Sequence, residues 1–409
     1  MSYHRCRLRS GAVFMLLLLH AWAASECWGQ RTTYRVPLVG AIGRGSLSDK
    51  PSSELSLGSV PTSRRTQGSS ALSGMSAEAT AQEMPSLSPS FERLRDRLRA
   101  CLARYYRRPE DATYRSPWGI MHGLIAFGID TDVLVEGRRV NAISWLCSNG
   151  KGQDLQLFEV ANGRLRPKSG PGLQGHDAQF LFMMAQCEVP LTYPIRVNGY
   201  QFTLKDVVEY EQSTCAAGSE LNFKLVGLVH YLESDATWTN DRGERWDIPR
   251  IIREELTQPI VGACCGGTHR MMGFSYAARK REQRQEPVVG QWLRAQRFVQ
   301  DYHEYAFKLQ NHDGSFSTDW FRSRQAAGEP LRVLETTGHM AEWLAFSLTL
   351  QQLVEPRMVK SIDFLTNLLL EDDDWEVGPK GHALHALALY DERVFGSKAG
   401  ERSFLRHEL

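Results

Sequence analysis

Phe91-Glu92-Arg93-Leu94-Arg95-Asp96-Arg97-Leu98-Arg99-Ala100-Cys101-Leu102-Ala103-Arg104-Tyr105, followed after a short connection by Trp118-Gly119-Ile120-Met121-His122-Gly123-Leu124-Ile125-Ala126-Phe127, decides the reading of the chain. In the first segment Phe91, Leu94, Leu98, Leu102 and Tyr105 fall at helical spacing among Arg93, Arg95, Asp96, Arg97 and Arg99. Such a helix has one apolar face and one wet face. In the second segment nearly every residue is apolar or small, and a helix of that kind is buried all round. The pairing repeats down the chain. Two-faced segments recur near 138–148, 203–214, 247–256, 290–309 and 354–371, alternating with apolar ones at 178–184, 221–232, 271–278, 340–350 and 383–390.

Apolar starts roughly fifty residues apart predict repeated helical hairpins, with the two-faced helices outside and the apolar ones inside. The expected fold is all-α, an (α/α)6 toroid of about six hairpins. An open α-solenoid is the alternative; closure is preferred because neither end shows a polar cap. Four joints carry turn signals between short β-prone runs: 134–140, 158–165, 195–202 and 238–246, three of which contain Glu136-Gly137, Asn162-Gly163 and Asn198-Gly199. These predict β-hairpins on the rim.

At the end of the fifth outer helix, Leu309-Gln310-Asn311-His312-Asp313-Gly314-Ser315-Phe316 resembles the Q-x-x-D-G-S-[FW] repeat of the terpenoid cyclase and protein prenyltransferase superfamily. The resemblance is sharp over one repeat and loose over the helical alternation. It implies an α/α toroid in which the glutamine and Asp-Gly tie an outer helix to the next inner one. It implies no single activity, because one barrel hosts cyclases, transferases, lyases and thioester domains.

The other bounds are compositional. Arg5, Arg7 and Arg9 precede an apolar run at 11–19 and small residues near Ala21 and Ala23, the pattern of a secretory signal over residues 1–24. Residues 25–88 are rich in Ser, Gly, Ala, Thr and Pro without periodicity, which predicts a disordered linker before a toroid domain at 89–409. The expected destination is periplasmic or extracellular. No segment has the length of about 20 apolar residues that a spanning helix needs. Lys and Arg total 48 against 47 Asp and Glu, so no field attracts nucleic acid or a membrane surface, leaving small-molecule, glycan or protein partners.

Aligning the inner segments by their starts brings a histidine to one place five times: His122, His176, His269, His339 and His382, with Ser219-Glu220 at the sixth. In parallel inner helices a shared position maps to a shared height, so these imidazoles converge on one cavity. Helix N-termini there favour anions and neutral, base-competent histidines. Capping of free backbone N–H groups is the structural alternative. The few other polar residues on the inner segments are Asp177, Glu220, Asn222, Lys224, Arg270, Tyr276, Glu342 and His385. His269, Arg270 and Tyr276, with His176 and His339, form the candidate catalytic set. The arginine would clamp a carboxylate while a histidine or the tyrosine moves a proton. His122, Asp177, Glu220, Asn222, Lys224, Glu342 and His382 form the candidate binding set.

The leading functional expectation is therefore an enzyme acting on an anionic polysaccharide, a lyase or hydrolase without a cofactor. A non-catalytic ligand-binding or scaffolding toroid is the first rival. A metal- or thiol-dependent cyclase or transferase is the second, because Cys264 and Cys265 stand five and four residues before His269 at a glycine-rich entrance. Those three would hold zinc, as in lanthionine-forming cyclases, although the Trp-Cys-Tyr-Gly and Cys-His-Gly signatures of those enzymes are missing. A disulfide from Cys264 or Cys265 to Cys215 is the structural alternative.

Overall fold

A computed structural model of the protein describes residues 89–406 except Asp373. The signal and linker expected at 1–24 and 25–88 lie outside the described residues. The described chain is mostly helical, with a few small sheets. None of its helices is long and apolar enough to cross a membrane.

The inner helices are α2 (Pro117–Phe127), α4 (Gln179–Gln186), α6 (Asn222–Tyr231), α8 (Thr268–Gln283), α10 (Pro330–Ser347) and α13 (Val377–Phe395). Their apolar composition buries almost every residue, as in α4, where seven of the eight are enclosed. Each packs on the next in chain order, and α13 packs on α2 as well as on α10. The amphipathic helices lie against them: α1 (Pro89–Tyr106), α3 (Ala142–Cys147), α5 (Leu204–Ser213), α7 (Ile248–Leu256), α9 (Gly290–Lys308) and α12 (Pro356–Glu371), with a one-turn α11 (Leu350–Leu353) before the last.

Helix starts follow local chemistry. Thr203 and Asp206 form a capping box on α5, and the Asp247 carboxylate accepts from the Arg250 N–H on α7, whose first turn carries a proline. The predicted joints are hairpins, with register Val135 opposite Arg138, Ala161 opposite Arg164, Val197 opposite Tyr200 and Thr239 opposite Arg245. Asn162 and Asn198 take the left-handed conformation ahead of Gly163 and Gly199, as two-residue turns require. A short strand, Glu110–Asp111, adds in parallel to the first hairpin, a pairing too brief to read from periodicity.

The Gln310 segment acts as a staple, but between different partners from those its resemblance implies. Gln310 Nε2 donates to the Arg357 carbonyl at 2.9 Å and to Ser361 Oγ at 2.8 Å, both on α12, so it joins one outer helix to the next outer helix. The link to the inner layer comes from Phe316, whose N–H donates to Thr337 Oγ1 on α10.

Candidate metal centre

Two glycines set the geometry of the histidine region. A Cβ on Gly338 would stand 3.0 Å from the Ala383 backbone nitrogen, and one on Gly381 would stand 2.6 Å from the His122 carbonyl oxygen. Because both lack it, α10, α13 and α2 approach at backbone contact, and the residues that follow, His339 and His382, stack with ring centroids 3.7 Å apart. His382 lies 5.4 Å from His122 and 5.5 Å from His269. His269 in turn lies 5.4 Å from His339 and 4.9 Å from His176. The structure brings all five histidines into one buried cluster, walled by Trp118 against His122, Phe223 against His176 and His269, and Trp320 against His339.

Their positions on the helices are less uniform than alignment by segment starts implies. His269 is in the first turn of α8, whereas His176 precedes α4 in a loop and His339 sits in the third turn of α10. The α10 helix begins at Pro330, so its first turns are the mixed polar and apolar 330–339 stretch.

Outer hydrogen bonds fix how each ring presents its nitrogens. Nδ1 of His122 bonds the Trp118 carbonyl at 2.7 Å, and Nδ1 of His339 bonds the Glu335 carbonyl at 2.7 Å. A carbonyl only accepts, so these nitrogens carry the proton and Nε2 carries the lone pair. Carboxylates do the same elsewhere: Glu220 accepts from His176 Nδ1 at 2.8 Å, and Glu342 accepts from His382 Nδ1 at 2.8 Å and from His385 Nδ1. Burial alone would raise the Glu342 carboxyl, but His382 and His385 hold it well below the usual carboxylate range. Glu220 is held down in the same way by His176 and by the Asn222 amide.

Burial, followed by the neighbouring His382, pulls His122 down to about 3, and burial holds His269 and His339 well below the ordinary histidine value. These rings are neutral at pH 7. Nε2 of His339 and both ring nitrogens of His269 are enclosed without any hydrogen-bond partner. Buried polar atoms are rarely left so, because each unmet group costs about 1–3 kcal/mol.

Beside them the entrance to α8 makes a tight left-handed turn. Cys265, Gly266 and Gly267 all have positive φ, at 47°, 61° and 81°, and a Cβ on Gly266 would enter the Trp320 ring at 2.2 Å. The turn delivers the Cys265 thiol to the cluster: Sγ of Cys265 and ring nitrogens of His269 and His339 lie within 4.8 Å of one another. A second group, His176, Glu220 and His269, meets the same limit. Burial, followed by the Glu335 carboxylate, raises the Cys265 thiol strongly, so without a cation it stays protonated. Cys264 comes within the same distance of His176 and Cys265 but is disulfide-bonded, so Cys265 is the thiol open to a metal at this turn. The sequence alternative that pairs Cys264 or Cys265 with Cys215 is corrected, because Cys215 and Cys265 are both free.

The chain matches no family model, no curated protein and no solved structure. Its chemistry therefore rests on its own residues.

Several residues singled out in the sequence lie apart from the cluster or are already engaged. Arg270 Nε donates to Glu255 at 2.7 Å and its Nη1 to the Pro259 carbonyl at 2.7 Å, while the other Glu255 oxygen accepts the Leu221 N–H at the start of α6. Lys224 is buried in an ion pair with Glu211 and also bonds Thr214. Tyr276 sits two turns along α8, its hydroxyl 2.6 Å from His230 Nδ1. Asp177 is exposed and bonds Ser169. Glu220, Asn222 and Glu342 do reach the cluster, as supports for its rings. The aromatic wall of Trp118, Phe223 and Trp320 carried no sequence signal, since tryptophan and phenylalanine in apolar segments read as ordinary core.

Proposed function

We propose that this chain is a zinc-dependent enzyme on a closed (α/α)6 toroid, with the metal held by Cys265, His269 and His339. The observation that carries the reading is His269: fully enclosed, neutral, and with two lone-pair-bearing or donor nitrogens that nothing in the protein meets, beside a thiol and a second unmet imidazole. The closed ring is supported by the packing of each inner helix on the next and of α13 on α2.

The donor set fits the ion. Thiolate and neutral imidazole select zinc over the harder cations, and a Nδ1–H bound to a backbone carbonyl, as in His339, is the usual support of a metal-binding ring. Zinc would deprotonate the Cys265 thiol on binding. Three protein ligands leave one tetrahedral position open, the pattern of catalytic sites, where the ion supplies Lewis-acid activation of a water or a carbonyl group. An anionic polysaccharide is disfavoured at this spot, since it would meet ring lone pairs, and Arg270 and Lys224 are already neutralised by Glu255 and Glu211. Export is part of the proposal and rests on the basic and apolar pattern of residues 1–24.

Metal analysis of the purified full chain tests the reading. One zinc per chain is expected, and cobalt substitution should give a thiolate charge-transfer band that Cys265→Ser abolishes. Cys265→Ser and His269→Gln should each weaken zinc binding by about 100-fold or more, at least the loss seen for outer-sphere supports. Absence of tight zinc binding by the wild-type chain would overturn the proposal. Full affinity in Cys265→Ser, with loss in His176→Gln, would move the ion to the His176, Glu220 and His269 group.

A further inference from the structure

Beyond the histidines, further along the same inner helices, a second cavity of about 180 Å³ opens between the ends of α4, α8, α10 and α13. That is several times the roughly 30 Å³ a water molecule occupies in the liquid. Its charged lining is mainly basic: Arg279, Lys280, Arg393 and Arg402, against Glu188 and Glu392. Glu392 is drawn to Arg402 at 3.7 Å. Among the described residues no carboxylate lies within ion-pair distance of Arg279, Lys280 or Arg393.

We propose that this cavity is a binding site for a small oxyanion-bearing ligand, a polycarboxylate or a phosphate ester. It rests on residues separate from the proposed zinc ligands. The guanidinium groups are held in place by only part of their donor set. Nη1 of Arg393 bonds the Ala345 and Phe346 carbonyls at 2.7 and 2.9 Å, and Nη1 of Arg279 bonds the Phe346 carbonyl at 3.2 Å. These bonds close the C-terminal end of α10, and each arginine retains N–H groups beyond them, out of the five it carries.

The side-chain groups left over on Arg279, Lys280 and Arg393 are all donors. A ligand rich in acceptor oxygens satisfies them together and relieves the repulsion among neighbouring cations, and charge-assisted bonds of this kind are about twice as strong as neutral ones. Burial, followed by the nearby Arg279, draws Arg393 down to about 10, with Glu392 opposing the shift. The floor is flat and apolar: Phe346 and Tyr276 stack with centroids 5.6 Å apart at 5°, and the Arg279 guanidinium lies over Phe346 at 5.0 Å. The site thus takes a compact molecule with one carbon face and several oxygens. His385 lines the cavity while bonding Glu342, which also holds His382, so one carboxylate separates this site from the histidine cluster.

Isothermal titration of the full chain with citrate and with inorganic phosphate, at constant ionic strength, tests the site, with glycerol as the uncharged control. Saturable binding tighter than about 1 mM is expected for at least one oxyanion and not for glycerol. The tighter of the two tells a carboxylate site from a phosphate site. Arg393→Gln should weaken it at least ~10-fold. Lys280→Gln, at a residue whose ammonium makes no hydrogen bond among the described residues, should weaken it several-fold and covers the case in which Arg393→Gln misfolds. No saturable binding below about 10 mM, or equal affinity in wild type and both variants, would overturn the proposal. Zinc content measured on the same samples keeps the two readings apart: oxyanion binding without zinc sinks only the metal centre.

Discussion

Replacing Arg270 by alanine should unfold this protein more readily. The guanidinium neutralises Glu255, whose carboxylate is completely buried and also accepts the Leu221 N–H that begins α6. Removing one member of a buried pair leaves the other uncompensated, which costs about 3–5 kcal/mol. For a domain of this size that corresponds to a fall of roughly 6–15 °C in the melting midpoint. Burial already raises the Glu255 carboxyl above its ordinary value. A carboxyl whose folded value is raised favours the native state at low pH and loses that contribution as pH rises through the folded value. The gap between wild type and Arg270→Ala should therefore be wider at pH 8 than at pH 5. Adding Glu255→Gln to the variant keeps the acceptor for Leu221 and removes the charge, so most of the loss should be recovered. Thermal unfolding at the two pH values, followed by circular dichroism, reads all three effects. A midpoint within about 2 °C of wild type would refute the pairing argument, since the smallest expected loss is about 3 kcal/mol.

Two further outcomes follow from groups outside both sites. Gln310→Ala removes the bonds to Arg357 and Ser361 that staple α9 to α12, and should cost about 1–3 kcal/mol in urea unfolding; an unchanged midpoint would deny the staple its role. His303, enclosed beside Ser347, is drawn down to about 4 by burial and is neutral in the native state. With a depressed folded value, its contribution is present above the unfolded value near 6.5 and is lost as pH falls towards 4, by about 2 kcal/mol at pH 5. Wild type should thus lose more stability than His303→Gln between pH 7 and pH 5, and parallel curves would count against it.

The alternation of wet-faced and apolar helices was legible because burial on one face or on all faces leaves different spacings of leucine and charge. Hairpin positions were legible because left-handed turns at Asn162 and Asn198 select asparagine and glycine. The five histidines were singled out by their place at the starts of the apolar segments, and they meet in one cluster although their positions on the helices differ. The roles of Arg270 and Lys224 were not legible, since a charged residue on an apolar segment signals either a site or a buried pair. Their partners, Glu255 and Glu211, come from outer helices with their own wet faces. Cys265 showed as a candidate thiol, but the positive φ at Cys265 and the close approach of Trp320 to Gly266, across more than fifty residues of chain, left no sequence signal. The basic cavity had no signature, being assembled from one or two residues at each of several helix ends.

The earliest described helix and the last one complete each other. Arg99 pairs with Asp391, Phe91 packs edge-on against Phe395, and Tyr105 bonds the Leu369 carbonyl at the end of α12. During synthesis α1 emerges while its counterparts are still nearly 300 residues from being made. At roughly 5–20 residues per second that is a delay on the order of 15–60 s. Through that interval α2, α4 and α6, each buried along most of its length in the folded chain, lack these later helices. Loss of the last helix would strip α1 of Asp391 and Phe395, the partners of Arg99 and Phe91.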